Sequence, residues 1–281
     1  MKRKRLVRFA LSATCVAALA VPVAGQAGGP GSKDGGGRSF YATDNQGNLV
    51  SFSADNPRQL DSSRPISGLP MGVSLTGIDF RPATGELYGV GSDSIVYRVS
   101  PVTGKAVAEG PAFTPALSGR FFGVDFNPTV DRIRVTSDGN QNLRLNPDTG
   151  ALATPVPDAD LNPNDPTVVG SAYTNSSLNA TLPAATTLYA LDALDDAIYV
   201  QNPPNNGTLT MPQPLGINVR GDSGFDIAGQ NNVGYVATAS DRRPGSELYR
   251  VNVLNGKSVK LGSIGRSGMT ITGLAAVQDQ P

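Results

Sequence analysis

The chain has no histidine and no tryptophan, and only one cysteine among its 281 residues. Without histidine, imidazole general bases, Ser-His-Asp triads, zinc-histidine sites and haem ligation by histidine are all excluded. The absence of tryptophan removes the largest aromatic surface on which a sugar ring could stack. Any hydrolytic chemistry in this protein would therefore have to rely on carboxylates.

The amino terminus has the pattern of a secretory signal peptide. Four basic residues at positions 2–5 precede an apolar run at 9–23, and small residues follow at 25–29. This order predicts cleavage near Ala27. The apolar run is shorter than the roughly 20 residues of a membrane span, so an uncleaved anchor is the less favoured alternative. We therefore expect a secreted or periplasmic protein without a membrane span after cleavage, and Cys15 would leave with the signal peptide.

The remaining chain divides into three predicted segments. Residues 28–38 are rich in glycine and predict a flexible tether, residues 39–277 a folded domain, and residues 278–281 a short tail. Cleavage after residue 27 would remove five basic residues and no acidic ones, which leaves 18 basic against 23 acidic residues. This mildly acidic balance, without a cluster of Lys and Arg, argues against a nucleic-acid partner.

A short glycine-centred motif recurs along the folded segment. It has the sequence Thr76-Gly77-Ile78-Asp79-Phe80 in its first copy, with apolar flanks in every copy. Successive copies are separated by 46, 47, 54 and 49 residues. The anchor glycines are Gly77, Gly123, Gly170, Gly224 and Gly273.

Predicted hairpins accompany this motif, one before the first anchor glycine and one in each interval. The first joins Phe40–Asp44 to Leu49–Phe52 through an Asn/Gly-rich turn, and four similar pairs follow. A further apolar run follows each hairpin after a turn rich in Asn, Asp, Pro and Gly. Four short strands per unit, at a period of about 40 to 50 residues, are typical of a β-propeller blade.

We therefore predict an all-β fold, a β-propeller of five four-stranded blades. The last glycine-led strand at 271–277 has no hairpin after it, and the first hairpin has no glycine-led strand before it. We expect these two segments to pair and close the first blade, which would remove open sheet edges. Four or six blades, or an open β-solenoid, are the alternatives.

The order and spacing of these motifs resemble a family of exported bacterial proteins, domain of unknown function 4394. The residues that carry the resemblance include Phe40–Asp44, Gly77–Phe80, Leu87–Val90 and Gly123–Pro128. The similarity extends over about residues 39–277. It implies an extracytoplasmic propeller, and it supplies no catalytic residues that could be carried over to this chain.

Three aspartates occupy the same position of the repeat and are the candidate binding residues. They are Asp79, Asp125 and Asp226, while Ala172 and Ala275 stand at that position in the other copies. We expect the three to line the central channel. They could fix blade packing by accepting backbone hydrogen bonds, bind a cation such as calcium through their oxygens, or act as acid and base in a glycosidase.

The sequence favours a binding or scaffold module over an enzyme. Its expected ligand is a protein, cell-wall or polysaccharide partner, bound at the channel mouth or on one rim of loops. The alternative is a hydrolase that uses carboxylates alone on an extracytoplasmic substrate. No cofactor motif is present, and calcium stays open as a ligand of the recurring aspartates.

Overall fold

The computed structural model describes residues 37–178, 181–229 and 232–278. The predicted signal peptide with Cys15, most of the predicted tether and most of the predicted tail lie outside the described residues. Within these ranges the chain forms nineteen β-strands in five sheets, together with one 3-10 turn at Pro204–Asn206. No helix in these ranges is long and apolar enough to cross a membrane.

The sheets are the five blades of a propeller, numbered here in chain order. Blade 1 contains β1 (Ser39–Asp44), β2 (Asn48–Ser53), β3 (Leu60–Pro65) and β19 (Ile271–Ala276). Blade 2 contains β4 (Leu75–Phe80), β5 (Leu87–Gly91), β6 (Val96–Val99) and β7 (Ala106–Ala108). Blade 3 contains β8 (Phe122–Asn127), β9 (Arg132–Ser137) and β10 (Asn142–Leu145). Blade 4 contains β11 (Val168–Tyr173), β12 (Leu188–Asp192), β13 (Ala197–Gln201) and β14 (Leu209–Pro214). Blade 5 contains β15 (Ser223–Ala228), β16 (Val233–Ala239), β17 (Ser246–Val251) and β18 (Ser258–Ser263).

The glycine-led strands are the innermost strands of their blades. In ring order they are β19, β4, β8, β11 and β15, and each contacts the next around the central axis. The predicted hairpins form the second and third strands. The prediction of an all-β, five-bladed propeller is therefore confirmed.

The two ends of the described chain close blade 1. Strand β19 pairs antiparallel with β1, so that Phe40 lies opposite Ala276 and Ala42 opposite Leu274. The sheet order in this blade is β19-β1-β2-β3. The predicted closure is confirmed, and it satisfies the backbone groups of β1 that would otherwise form an open edge.

Blade 3 differs from the others because its sheet has three strands. The chain after β10 makes one isolated bridge, between Leu145 and Leu152, and then leaves the sheet. Pro155 and Pro157 follow directly, and proline has no N–H to donate to a strand ladder. The predicted fourth strand is therefore reduced to a bridge in this blade.

The hydrophobic core lies between neighbouring blades. Phe40 of blade 1 is fully buried and meets the Tyr235 ring of blade 5 edge-on, with the ring centroids 4.8 Å apart. Tyr88 of blade 2 packs in the same way on Phe126 of blade 3, at 5.4 Å. Full burial of one such side chain contributes about 1.5 to 3 kcal/mol, so these contacts hold each blade against the next.

Candidate functional site

The five anchor glycines form a tight ring around the axis. A Cβ on Gly123 would lie 2.4 Å from the backbone nitrogen of Ser171, and one on Gly77 would lie 2.6 Å from Cγ2 of Val124. Both neighbours belong to the next blade, so the inner strands approach too closely for any side chain. The glycines line a cavity of about 10 Å³, which is room for about one water molecule.

The three candidate aspartates converge at the centre of the ring. Each follows an anchor glycine by two positions, so its side chain lies on the same side of the strand as that glycine. One carboxylate oxygen from each of Asp79, Asp125 and Asp226 lies within 4.8 Å of the others. All three side chains are buried, with Asp125 only 1% exposed.

Backbone N–H groups of the next blade bind these carboxylates. Asp79 accepts from the N–H of Phe80 on its own strand and from Phe126 of blade 3, both at 2.7 Å. Asp226 likewise accepts from its own Ile227 and from Ala276 of blade 1, both at 2.6 Å. Each of these aspartates therefore connects two inner strands, as the packing hypothesis for them predicts.

Asp125 has fewer backbone donors than the other two. It accepts from the N–H of Tyr173 on blade 4 at 3.1 Å, while the N–H of Phe126 already donates to Asp79. Its carboxyl group also lies beside those of Asp79 and Asp226, with one oxygen of each within 4.8 Å of the others.

The electrostatics of the cluster follow from its burial. Burial, reinforced by repulsion between the carboxylates, raises the pKa values of Asp79 and Asp125 well above their usual range. Burial raises the pKa of Asp226 to about 7, although its two backbone donors and the charge of Arg38 act in the opposite direction. Such a cluster can retain protons or hold a hard cation through its oxygens, and calcium binding stays a prediction.

A larger pocket lies at one mouth of the channel, where the inner strands begin. Its volume is about 270 Å³, close to the lower end of the range for small-molecule sites. It is formed by loops from blades 1, 2, 3 and 5. Its lining includes Thr76, Arg120, Phe121, Asp222, Ser223 and Thr272.

The loops around this pocket are held by side-chain hydrogen bonds. Asp138 accepts from the backbone N–H groups of Arg120 and Phe121, at 2.7 and 3.2 Å. On the far side, the Ser223 hydroxyl donates to the carbonyl of Arg220 at 2.6 Å. The pocket walls are therefore fixed before any ligand arrives, which lowers the entropy cost of binding.

An aspartate at the end of the second strand, or in the turn directly after it, recurs in every blade. The five residues are Asp44, Asp93, Asp138, Asp192 and Asp241. We did not single out this repeat from the sequence, although its spacing follows the glycine period. Asp138 shows its purpose at the mouth, because it holds the loop that carries Arg120.

The glutamates lie away from the channel. Arg98 pairs with Glu86 at 2.8 Å and with Glu109 at 2.9 Å on the outer part of blade 2. Glu247 pairs with Lys260 of the neighbouring strand in blade 5. None of these three carboxylates lines the two cavities described above.

A buried arginine between blades 3 and 4 was missed by the sequence reasoning. Arg134 is 1% exposed and pairs with Asp158 at 2.7 Å. Its guanidinium also donates to Asn142 at 2.6 Å and to Asn205 at 3.0 Å. Arg144 approaches the same carboxylate, so Asp158 neutralises two cations at this inter-blade contact.

The chain matches one protein-family model, domain of unknown function DUF4394, over residues 48–275. The chain belongs to this family. No curated protein sequence matches it. The DUF4394 chain is also similar in fold to solved structures, including several at 10 to 12% identity.

Three of these structures illustrate the level of similarity. The nidogen/laminin complex matches at 10% identity and a TM-score of 0.49, over 88% of this chain and 100% of the other. Hydrazine synthase of Kuenenia stuttgartiensis matches at 12% identity and a TM-score of 0.41, over 73% of this chain and 52% of the other. The WD40 domain of coronin from Toxoplasma gondii matches at 12% identity and a TM-score of 0.42, over 82% of this chain and 55% of the other. The DUF4394 chain thus spans about half the length of the latter two structures.

Proposed function

We propose that this DUF4394 protein is a binding module that recognises its ligand at the mouth of the central channel. The observation that carries the proposal is the pocket of about 270 Å³ formed by loops of four blades. Its walls are held by hydrogen bonds such as those from the Arg120 and Phe121 N–H groups to Asp138. Rigid loops that converge on one cavity are a common basis of recognition in propellers and similar scaffolds.

We place this function outside the cytoplasm. The support is the basic stretch, short apolar run and small residues of the first 29 positions, which are typical of a secretory signal peptide. A secreted or periplasmic propeller meets proteins, cell-wall polymers and their soluble fragments. Ligands of these classes are therefore the first to test.

The hydrolase alternative has less support from the geometry. Asp79, Asp125 and Asp226 are close enough for acid-base chemistry, and the pKa of Asp226 is about 7. They are buried, however, and the neighbouring channel cavity has room for about one water molecule. Glycoside hydrolysis needs carboxyl groups on both sides of a sugar, which has no room in this cavity.

A pocket-blocking variant tests the proposed site. Ser74 lines the mouth pocket, so Ser74→Trp should fill part of it. Val130→Trp is the matched control, because Val130 is 49% exposed in the β8–β9 turn at the opposite end of the inner strands. The probe is a fragment panel of amino acids, short peptides, mono- and disaccharides and cell-wall fragments, followed by ligand-observed NMR. We expect hits that Ser74→Trp abolishes and Val130→Trp retains.

Two outcomes would overturn the proposal. Either no fragment binds the wild-type protein, or the hits bind Ser74→Trp as well as they bind wild type. A circular dichroism melt of each variant checks that the folded state is retained. Hydrolysis products in the same samples would favour the enzyme alternative.

A further inference from the structure

Most polar groups of the mouth pocket are already engaged within the protein. The hydroxyl groups of Thr43 and Thr272 lie 3.0 Å apart and hydrogen-bond to each other. The Thr76 hydroxyl donates to the carbonyl of Val90, also at 3.0 Å. The carboxylate of Asp44 is occupied by the backbone of its own turn. A ligand would therefore find few free neutral partners in these walls.

Two charged side chains in the same pocket have no such partners. Arg120 and Asp222 both line the pocket and are exposed. Within the described parts of the chain, the guanidinium of Arg120 and the carboxylate of Asp222 make no ion pair and no side-chain hydrogen bond. The guanidinium of Arg120 lies over the Phe121 ring, 5.5 Å from the ring centroid. One free positive and one free negative group thus face a single cavity.

A packing contact fixes the two loops that carry these charges. The Phe121 ring lies against Gly221, where an added Cβ would meet ring carbons at 2.2 to 2.5 Å. Arg120 precedes Phe121 in one loop and Asp222 follows Gly221 in the other. The contact therefore brings the two loops that carry the charged residues together, and the Phe121 ring lines the pocket beside them.

We propose that the mouth pocket binds a small zwitterion, a free α-amino acid. Its carboxylate pairs with Arg120 and its ammonium group with Asp222, while an aliphatic side chain packs on Phe121. This inference rests on the proposed function, because it names the ligand class of the same pocket. Guanidinium binds carboxylate in a bidentate geometry, which gives direction as well as affinity.

Charge complementarity selects the zwitterion over ligands whose charges are all of one sign. A dianion would place negative charge beside Asp222, and a cation would place positive charge beside Arg120. Such like-charge contacts are a common basis for rejecting a wrong ligand. A neutral sugar would leave both charged groups without partners. The pocket volume of about 270 Å³ also suits a molecule of amino-acid size.

The test compares leucine with two analogues that each keep one charge, 4-methylpentanoate and isoamylamine. The full chain is titrated with each by calorimetry and by thermal shift. Arg120→Gln and Asp222→Asn are compared with the exposed controls Arg242→Gln and Asp55→Asn. A charged hydrogen bond contributes about 1.5 to 3 kcal/mol, so each pocket variant should weaken leucine binding by about tenfold or more. The controls should bind like wild type, and each analogue should bind more weakly than leucine.

Several results would overturn the inference. One is that no amino acid in a panel of twenty raises the melting temperature, and another is that Arg120→Gln and Asp222→Asn bind leucine like wild type. A third is that the two substitutions lower stability in a strongly non-additive way without any ligand, which would show that the residues pair with each other. If other fragments bind and Ser74→Trp abolishes them, the proposed function stands and only the zwitterion is wrong.

Discussion

At the scale of single residues, Asp226 makes the stability of the fold depend on pH. Burial raises the pKa of its folded-state carboxyl group to about 7, whereas an unfolded aspartate titrates near its ordinary value of 3.8. The folded state therefore binds the proton more tightly. The resulting stabilisation is fully present below about pH 4 and is lost as the pH rises towards 7.

We expect Asp226→Asn to reduce this pH dependence. The amide cannot ionise, so the free energy of unfolding should fall less steeply between pH 4 and 7 than in wild type. One proton corresponds to a slope of at most about 1.4 kcal/mol per pH unit. Urea denaturation at half-unit steps of pH measures it. The variant should also be less stable at pH 4, because the amide nitrogen cannot accept a hydrogen bond, whereas each oxygen of the carboxyl group accepts one backbone N–H.

The exposed Asp61→Asn substitution removes a carboxyl group at the surface and serves as the control. It should leave the slope of wild type unchanged. An equal slope in Asp226→Asn and wild type would contradict the prediction. Asp79 and Asp125 titrate together with Asp226, so the wild-type curve belongs to the cluster rather than to one residue.

The sequence predicted which aspartates share a position in the repeat but not how their hydrogen bonds differ. Their spacing of two residues from an anchor glycine is visible in the sequence. Their hydrogen bonds depend on the residue at the same position in the previous blade. Asp79 and Asp226 each follow an alanine in ring order, and each accepts the N–H of the next residue on its own strand. Asp125 follows Asp79 in ring order, and Asp79 accepts the Phe126 N–H that Asp125 would otherwise accept. This dependence appears only when the ring closes.

At the scale of strands and segments, the chain after β10 depends on one carboxylate. The side chain of Asp158 is 5% exposed and pairs with Arg134 and Arg144, both at 2.7 Å. Removing one partner of a buried ion pair typically costs about 3 to 5 kcal/mol, because the other charge stays buried without compensation. We expect Asp158→Ala to lower the free energy of unfolding by about this amount, measured by urea denaturation.

Asp241→Ala is the matched control for this prediction. It removes an aspartate that also pairs with an arginine, Arg220, but both side chains are about half exposed. Exposed ion pairs contribute little, so its melting temperature should stay close to that of wild type. Similar losses in the two variants would show that the contact around Arg134 is not the stabilising element inferred here.

The segment around Asp158 also shows where strand prediction from sequence reached its limit. Alternation and turn residues predicted every hairpin, because each local pattern agrees with the fold. The outermost strand of blade 3 was expected by analogy with the other blades. Two prolines and the attraction of Asp158 to buried Arg134 lead the chain away from the sheet instead. Arg134 itself reads in the sequence as an ordinary exposed residue of a strand.

At the scale of the whole molecule, the glycine period was sufficient to predict the ring but not the mouth pocket. The period gives the number of blades and the strand that closes them. The pocket combines side chains such as Thr43, Arg120 and Asp222, which lie far apart in the chain and outside the repeated motif. Their meeting depends on loop conformations that no periodic pattern encodes. The candidate site at the mouth was therefore predicted only as a region.

Ring closure by β19 should be essential for folding. Removing residues 268–281 deletes the inner strand of blade 1, including Ile271 and Leu274, which are 0% and 3% exposed. It also deletes the N–H of Ala276 that binds Asp226, and it exposes the edge of β1. We expect this truncated chain to be insoluble or unfolded, because an open apolar edge promotes aggregation. Solubility, circular dichroism and thermal melting measure the effect.

A control truncation that removes only residues 279–281 keeps every strand of the described part of the chain and should melt like the full chain. A synthetic peptide of residues 268–278 provides a more specific test. If the loss of β19 alone prevents the truncated chain from folding, added peptide should pair with β1 and restore soluble, folded protein, as in strand complementation. A chain lacking residues 268–281 that melts like wild type would show that the other four inner strands hold the ring without closure. Rescue by the peptide, with no rescue by a scrambled version, would show that the register between β19 and β1 completes the propeller.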